Sequence, residues 1–418
     1  MFSFLHAADI HLDSPLKGLE VYQDAPVEQI RWAARRAFDN LVDLAITEEV
    51  AFVLLAGDLY DGDWKDYNTG IYFVNRMGRL RDAGIPVFMV SGNHDAASQI
   101  TRALHLPDNV MLFSHKKVET SILDHLGVAI HGQSFSTRAV TEDLTRNYPQ
   151  GDPSLFNIGL LHTSLNGRPN HETYAPCTLD ALRSKGYQYW ALGHVHQREE
   201  ISREPWVVFP GNLQGRHIRE TGAKGCTLVT VDDGRVVEVE AKELDVLRWS
   251  QCKLDLGKCE KTESLLEMVR ETFEDERERA DGRPLAIRLV LEGITPIHGR
   301  LHENSAHWHE EFRAVAASLG DVWLEKILIN TRKEMLFNGF TDDSPIAYLQ
   351  KSVEGLQFES SRLLDLIPDF EQLRNKLPPD LLIDDDPFTP REDELAALIE
   401  DVKELLMAKM QQGGHHAN

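Results

Sequence analysis

Seven side chains able to hold a metal punctuate the first half of the chain. They are Asp9 and His11 in DIH, Asp58 in GDLYD, Asn93 in GNHD, His162, and His194 and His196 in GHVH. Two carboxylates, one amide oxygen and four imidazoles are too many donors for one four-coordinate ion, and they suit two ions that share a carboxylate. The i, i+2 spacing of Asp9 with His11 and of His194 with His196 puts each pair on one side of an extended segment. Asp58, preceded by a glycine and central in the set, is the natural shared ligand. A nitrogen and oxygen set without thiolate suits Mn²⁺, Fe²⁺ or Zn²⁺ better than Mg²⁺, which prefers oxygen. Two such ions ~3.5–4 Å apart clamp a phosphate and lower the pKa of a bridging water. The chemistry expected is in-line attack of metal-bound hydroxide on a phosphoester.

Each motif alone is a common turn, so the reading rests on their recurrence after apolar runs. FSFLHAA (2–8), AFVLLAG (51–57), IPVFMV (85–90), FNIGLLH (156–162) and YQYWALG (187–193) read as buried strands, and a polar ligand ends each one or follows it within three residues. Polar groups buried there without partners would cost about 1–3 kcal/mol each, which a shared cationic centre removes. Amphipathic helices over 27–49 and 67–84 separate the first three strands. That order predicts a parallel or mixed sheet with helices on its faces, its site at the carboxyl ends of the strands. The fold class is therefore α/β, in layers.

Residues 110–240 shift to short β runs, and 226–244 read as a hairpin about Asp233–Gly234. Beyond 245, a charged helix (262–279), PLAIRLVLEG (284–293), a helix near 306–318 and VWLEKILIN (322–330) predict a small α+β domain. From 341 the chain reads as helical and divided by prolines. Thr389, Pro390 and Glu392 make a helix start, followed by an apolar stripe from Leu395 to Met410. Three regions result: 1–244, 245–340 and 341–418.

Forty-four Lys and Arg against sixty-seven Asp and Glu give a net charge of −23, which argues against a general nucleic-acid coat. Bound cations invert the field locally, so phosphate chemistry is not excluded. The acid is also concentrated: 378–404 hold ten acidic residues and two basic ones. No stretch reaches the ~18 apolar residues of a membrane span. The start has no basic n-region, and Cys177, Cys226, Cys252 and Cys259 form no C-x-x-C pair, so a cytoplasmic protein with reduced core thiols is expected.

The ordered set DIH, GDLYD, GNHD, H and GHVH resembles the calcineurin-like metallophosphoesterase superfamily. AADIHLDSPL (7–16), LLAGDLYDGD (54–63), VSGNHD (90–95), ALGHVHQ (191–197) and FPGNLQGRHIRE (209–220) resemble, within it, the SbcD-type DNA-repair exonucleases and most closely their YhaO-like branch. The resemblance implies a β-sandwich flanked by helices, with a small α+β capping domain and C-terminal helices. It implies one ion on Asp9, His11, Asp58 and His196 and another on Asp58, Asn93, His162 and His194, with Mn²⁺ the usual metal. His94 would stabilise the pentacovalent phosphate or protonate the leaving oxygen, with Asp61 holding and charging it. Many relatives have His at the place of Asp61, so their use of that position does not carry over.

Other positions are less specific. Asp95 reads as a turn cap or an acceptor behind the ligands. Arg216 and His217 either reach a substrate phosphate or sit on a strand-to-loop corner with Arg216 solvated. His307 and His309, two apart on a helix, diverge and read as an exposed face. The expected function is a DNA exonuclease or endonuclease of repair, with 245–340 steering duplex ends. The alternatives are a nucleotide or cyclic-nucleotide phosphodiesterase or phosphatase, and a metal-containing scaffold for an ATPase. The resemblance also implies an SMC-like ATPase partner of SbcC or YhaN type on the C-terminal helices, and a homodimer.

Overall fold

The computed structural model describes residues 1–13, 32–60, 67–96, 105–165, 174–333 and 348. Residues 1–334 form one compact unit. The expected C-terminal helices and the stripe from Leu395 to Met410 lie outside the described residues, as does Asp61.

Two six-stranded sheets face each other. Sheet one contains β1 (Phe2–Ala7), β2 (Phe52–Ala56), β3 (Val87–Val90) and β4 (Val110–Leu112). Sheet two contains β5 (Glu119–Leu123), β6 (Val128–Gly132), β7 (Phe156–His162), β8 (Tyr189–Gly193), β9 (Glu199–Arg203) and β10 (Trp206–Phe209). The chain then returns to sheet one with β11 (Gly225–Asp232) and β12 (Arg235–Glu243). The strand orders are β12-β11-β1-β2-β3-β4 and β5-β6-β7-β8-β10-β9. β1 to β4 run parallel, as do β6, β7, β8 and β10, while β11, β12, β5 and β9 pair antiparallel with their neighbours. This is the layered α/β class that the strand-helix alternation predicts.

Period-2 alternation explains why the parallel strands read as continuous apolar runs. Phe4, Phe52, Leu54, Phe88 and Val90 enter the core between the sheets, where they meet Ile158, Tyr189 and Val208. Leu5, Ala7, Val53, Leu55, Val87 and Met89 face the other way, against α1 (Ala33–Thr47) and α2 (Tyr67–Asp82). Both faces are buried, so both are mostly apolar. Each fully buried Phe contributes about 1.5–3 kcal/mol. The predicted hairpin forms between β11 and β12, with Asp233 and Gly234 both at positive φ.

A polar side chain on β1 crosses the sandwich. His6 is fully buried, its Nδ1 3.0 Å from the Tyr189 hydroxyl and its Nε2 3.1 Å from Leu192 O. Burial lowers its pKa to about 3, so it bonds as a neutral ring and ties β1 to β8.

A third, three-stranded sheet of β13 (Arg248–Asp255), β14 (Leu285–Ile294) and β15 (Val322–Arg332) is all parallel. The short α3 (Asn93–Ala96) and α4 (Leu179–Arg183) belong to the sandwich, and α5 (Thr262–Arg279), α6 (His298–Glu303) and α7 (Ser305–Ser318) to this sheet. Leu265, Val269, Phe273, Leu289 and Phe312 make its separate core. Trp308 faces that core while His307 is exposed and His309 half-buried, so the two histidines diverge around it. The four cysteines are free and buried, and burial raises the Cys177 thiol to about 11. Among the described residues no helix is long and apolar enough to cross a membrane.

Candidate dimetal centre

The loops leaving β1 and β2 lie side by side. Asp9 N donates to Gly57 O at 3.1 Å, His11 N to Asp58 O at 3.0 Å and Leu12 N to Leu59 O at 2.9 Å. Asp9, His11, Asp58 and His194 all have positive φ, at 50°, 46°, 51° and 105°. Such a conformation costs of order 1–3 kcal/mol for a residue with a Cβ, and it persists where surrounding contacts impose it. Four of the seven predicted ligands share it, so the loops are shaped to turn these side chains inward. Gly57 and Gly92 have no room for a side chain: a Cβ on either would overlap His162, and on Gly92 the Asp58 carboxylate too.

Two groups of ligand atoms result, each with all its atoms within 4.8 Å of one another: Asp9, His11 and His196, and Asp9, Asp58 and His162. Asn93 Oδ1 adds to the second, 2.9 Å from His162 Nε2. Asp9 contributes to both groups, and Asp58, the shared ligand expected from the sequence, contributes to the second. Asp58 divides its oxygens: Oδ1 accepts the His94 N–H at 3.0 Å and Oδ2 lies 3.5 Å from His162 Nε2. His194 is in neither group. Its backbone N–H donates to both Asp9 oxygens, at 3.1 and 2.9 Å, and its ring stands 5.3 Å from the ring of His162.

The donor atoms fit divalent ions. His162 Nδ1–H donates to Ala56 O at 2.9 Å, so Nε2 of the neutral ring carries a lone pair. That lone pair faces two further oxygen acceptors, Asn93 Oδ1 and Asp58 Oδ2. In the first group His11 Nε2 and His196 Nε2 are 3.3 Å apart, with Asp9 Oδ1 3.9 Å from the latter. Donor atoms that converge in this way suit a cation between them. Burial lowers the pKa values of His11, His162 and His196, which keeps the rings neutral and ready to ligate. Burial, and then the charge of Asp58, pushes the Asp9 carboxyl up, a repulsion that a bound cation removes.

His94 lies outside both groups. It is half-buried on α3, and its ring stands perpendicular to that of His11 with centroids 5.0 Å apart. Asp95 behind it accepts N–H bonds from Leu59 at 3.2 Å, Tyr60 at 3.0 Å and Gly92 at 3.0 Å, tying the loop after β2 to the loop after β3. Burial and the Asp58 charge raise its pKa to about 6. Asp61, assigned from sequence to hold His94, lies outside the described residues.

Arg216 and His217 both turn toward Glu220, for which no sequence motif predicts a role. Arg216 Nη2 is 3.2 Å and His217 Nε2 3.5 Å from Glu220 Oε1, and Arg216 is mostly buried. Glu220 Oε1 also accepts from His196 Nδ1 at 2.7 Å. Burial pushes the Glu220 carboxyl up, but Arg216 and the bond from His196 outweigh it and hold it well below the usual range. A cavity of about 200 Å³ opens beside α3, lined among others by Ser91, Asp95, Phe113, Ser134 and Phe135.

Residues 2–198 match the calcineurin-like phosphoesterase family, and residues 249–332 match the middle domain of metallophosphoesterase YhaO. The chain is 37% identical over 298 residues to metallophosphoesterase YhaO of Bacillus subtilis, covering 70% of this chain and 72% of that one. It is 25% identical over 309 residues to the DNA double-strand break repair protein Mre11 of Sulfurisphaera tokodaii, covering 69% and 73%. Among solved structures, a dimetal phosphatase from Danio rerio is similar at a TM-score of 0.35 and 13% identity, covering 56% of this chain and 93% of that one.

Proposed function

This chain belongs to the calcineurin-like phosphoesterase family and is a metallophosphoesterase; on that premise we propose that it hydrolyses phosphodiesters of DNA as a repair nuclease. The hydrolytic reading is carried by the convergence of His162 Nε2, Asn93 Oδ1 and Asp58 Oδ2 beside an Asp9 common to two ligand groups. What supports DNA as substrate is the similarity to Mre11.

Two divalent ions, when bound, supply charge to clamp the phosphate and an acidified water to attack it. Asp9, His11 and His196 would hold one, and Asp9, Asp58, Asn93 and His162 the other, with His194 beside them. Mn²⁺ is our choice of metal on the mixed donor set, with Fe²⁺ or Zn²⁺ also compatible. His94 stands half-buried at the edge of both groups, where an imidazole can bond a phosphate oxygen or give a proton to the leaving oxygen. Asp95 keeps that imidazole in place by fixing the two loops around it.

We extend the proposal to an SMC-like ATPase partner, supported by the apolar stripe from Leu395 to Met410. A homodimer through the helices beside the site is supported by the exposed Trp32 and Ile71. A cytoplasmic location is supported by four free, buried thiols.

The experiment is a comparison of substrates. With Mn²⁺ present, the protein is expected to release nucleotides from linear duplex DNA and to cleave bis-p-nitrophenyl phosphate, with both activities abolished by chelation. Cleavage of small esters or cyclic nucleotides with none of DNA would replace this reading with a nucleotide phosphodiesterase.

A further inference from the structure

We infer that Glu220 is a positioning residue that fixes the tautomer of His196 and aims its Nε2 at the ligand group of Asp9 and His11. The inference rests on the dimetal reading and adds to it a residue 24 positions from the ligand it serves.

The geometry is that of a hub. Glu220 is 6% exposed. Its Oε1 accepts from His196 Nδ1 at 2.7 Å and from Arg216 Nη2 at 3.2 Å. Its Oε2 accepts from Asn212 Nδ2 at 2.8 Å and from the Arg216 backbone N–H at 2.7 Å. With Nδ1–H spent on the carboxylate, the lone pair of His196 is on Nε2, facing His11 Nε2 at 3.3 Å. The backbone of His196 is held by the same segment: its carbonyl accepts from Lys224 Nζ at 2.9 Å and Asn212 N at 3.3 Å.

The segment is itself anchored to the third sheet. Trp249 Nε1 donates to Gly215 O at 3.0 Å, and Gln214 Nε2 to Leu247 O at 2.7 Å. Residues 211–224 therefore dock the small sheet on one side and grip a ligand on the other.

A comparison within the site shows why a carboxylate is needed here. His162 is fully buried, and its Nδ1 needs only a carbonyl, Ala56 O, to set the tautomer. The His196 side chain is 23% exposed at the mouth of the site, so packing alone does not fix its ring. An anionic acceptor holds the ring more strongly and makes its Nε2 a better donor to metal.

The test is Mn²⁺ binding to the full chain, measured by titration of the chelated protein and followed by thermal melting. Glu220→Ala risks the fold, because Asn212 and the Arg216 amide would lose their acceptor. Glu220→Gln keeps the volume and is the informative variant. It is expected to weaken one of two Mn²⁺ sites by about 10–100-fold and leave the other within about twofold. Turnover on bis-p-nitrophenyl phosphate should recover at high Mn²⁺, while the chelated variant should melt below the chelated wild type, because its amide NH2 must face two donors that the carboxylate accepted. Unchanged affinity at both sites, or equal loss at both, would overturn the inference. A wild type that takes up no Mn²⁺ would instead remove the dimetal reading, and the role of Glu220 with it.

Discussion

Replacing His94 with Gln is expected to lower kcat on a phosphodiester by about 10²–10⁴-fold, the usual contribution of a positioned acid or base. Metal content and KM should stay close to wild type. His94 is in neither ligand group, and the contact it makes with Asp58 comes from its backbone N–H, which the substitution keeps. Its ring is 5.0 Å from that of His11, close enough to touch a phosphate held there and too far round to be needed for holding the ions. Rate assays with saturating Mn²⁺, alongside elemental analysis of the same preparation, separate the two roles. Loss of metal would make His94 a ligand; turnover within tenfold of wild type would leave it a turn residue.

Asp9→Asn is expected to have the opposite profile, reducing bound metal below one ion per chain and turnover to the level of the chelated wild type. Asp9 is the carboxylate common to both groups, so neutralising it weakens both sites at once. Its fixed orientation comes from His194 N–H, which bonds both oxygens. Stability should move in two directions. In chelator the variant should melt no lower than wild type, because burial and the charge of Asp58 already disfavour an ionised Asp9. With Mn²⁺ added it should lose most of the wild-type gain, which is about 2.7 kcal/mol when free metal is a hundredfold above Kd. Melting scans with and without Mn²⁺ read both effects. A variant that still binds two ions would show that Asp9 is not shared.

Most of this architecture is legible in the sequence because the parallel strands are buried on both faces and cannot hide their apolar character. Five such runs, each with a ligand at its end or within three residues of it, locate the site from sequence alone. The edge strands β5 and β9 escape, since Glu119 to Ser121 and Glu199 to Glu200 are half-exposed and polar, with no run to detect. Spacing places Asp58 in the middle of the set; that Asp9 also stands within reach of both groups depends on how the loop after β1 folds against β2 and β8, with Asp9 turned to a φ of 50°. Asp95 was open between a cap and an acceptor, and its three backbone donors make it the tie between two loops. The role of Glu220 in FPGNLQGRHIRE is not legible from sequence, because no periodicity links it to His196 across a chain reversal. Arg216 and His217 likewise turn to Glu220, a contact that no local spacing encodes.

A crystal soaked in Mn²⁺ and measured for anomalous scattering tests the account most directly. Two peaks ~3.5–4 Å apart are predicted, one against His11 and His196, the other against Asn93 and His162, with the Asp9 carboxylate reaching both. A single peak, or none, would contradict it.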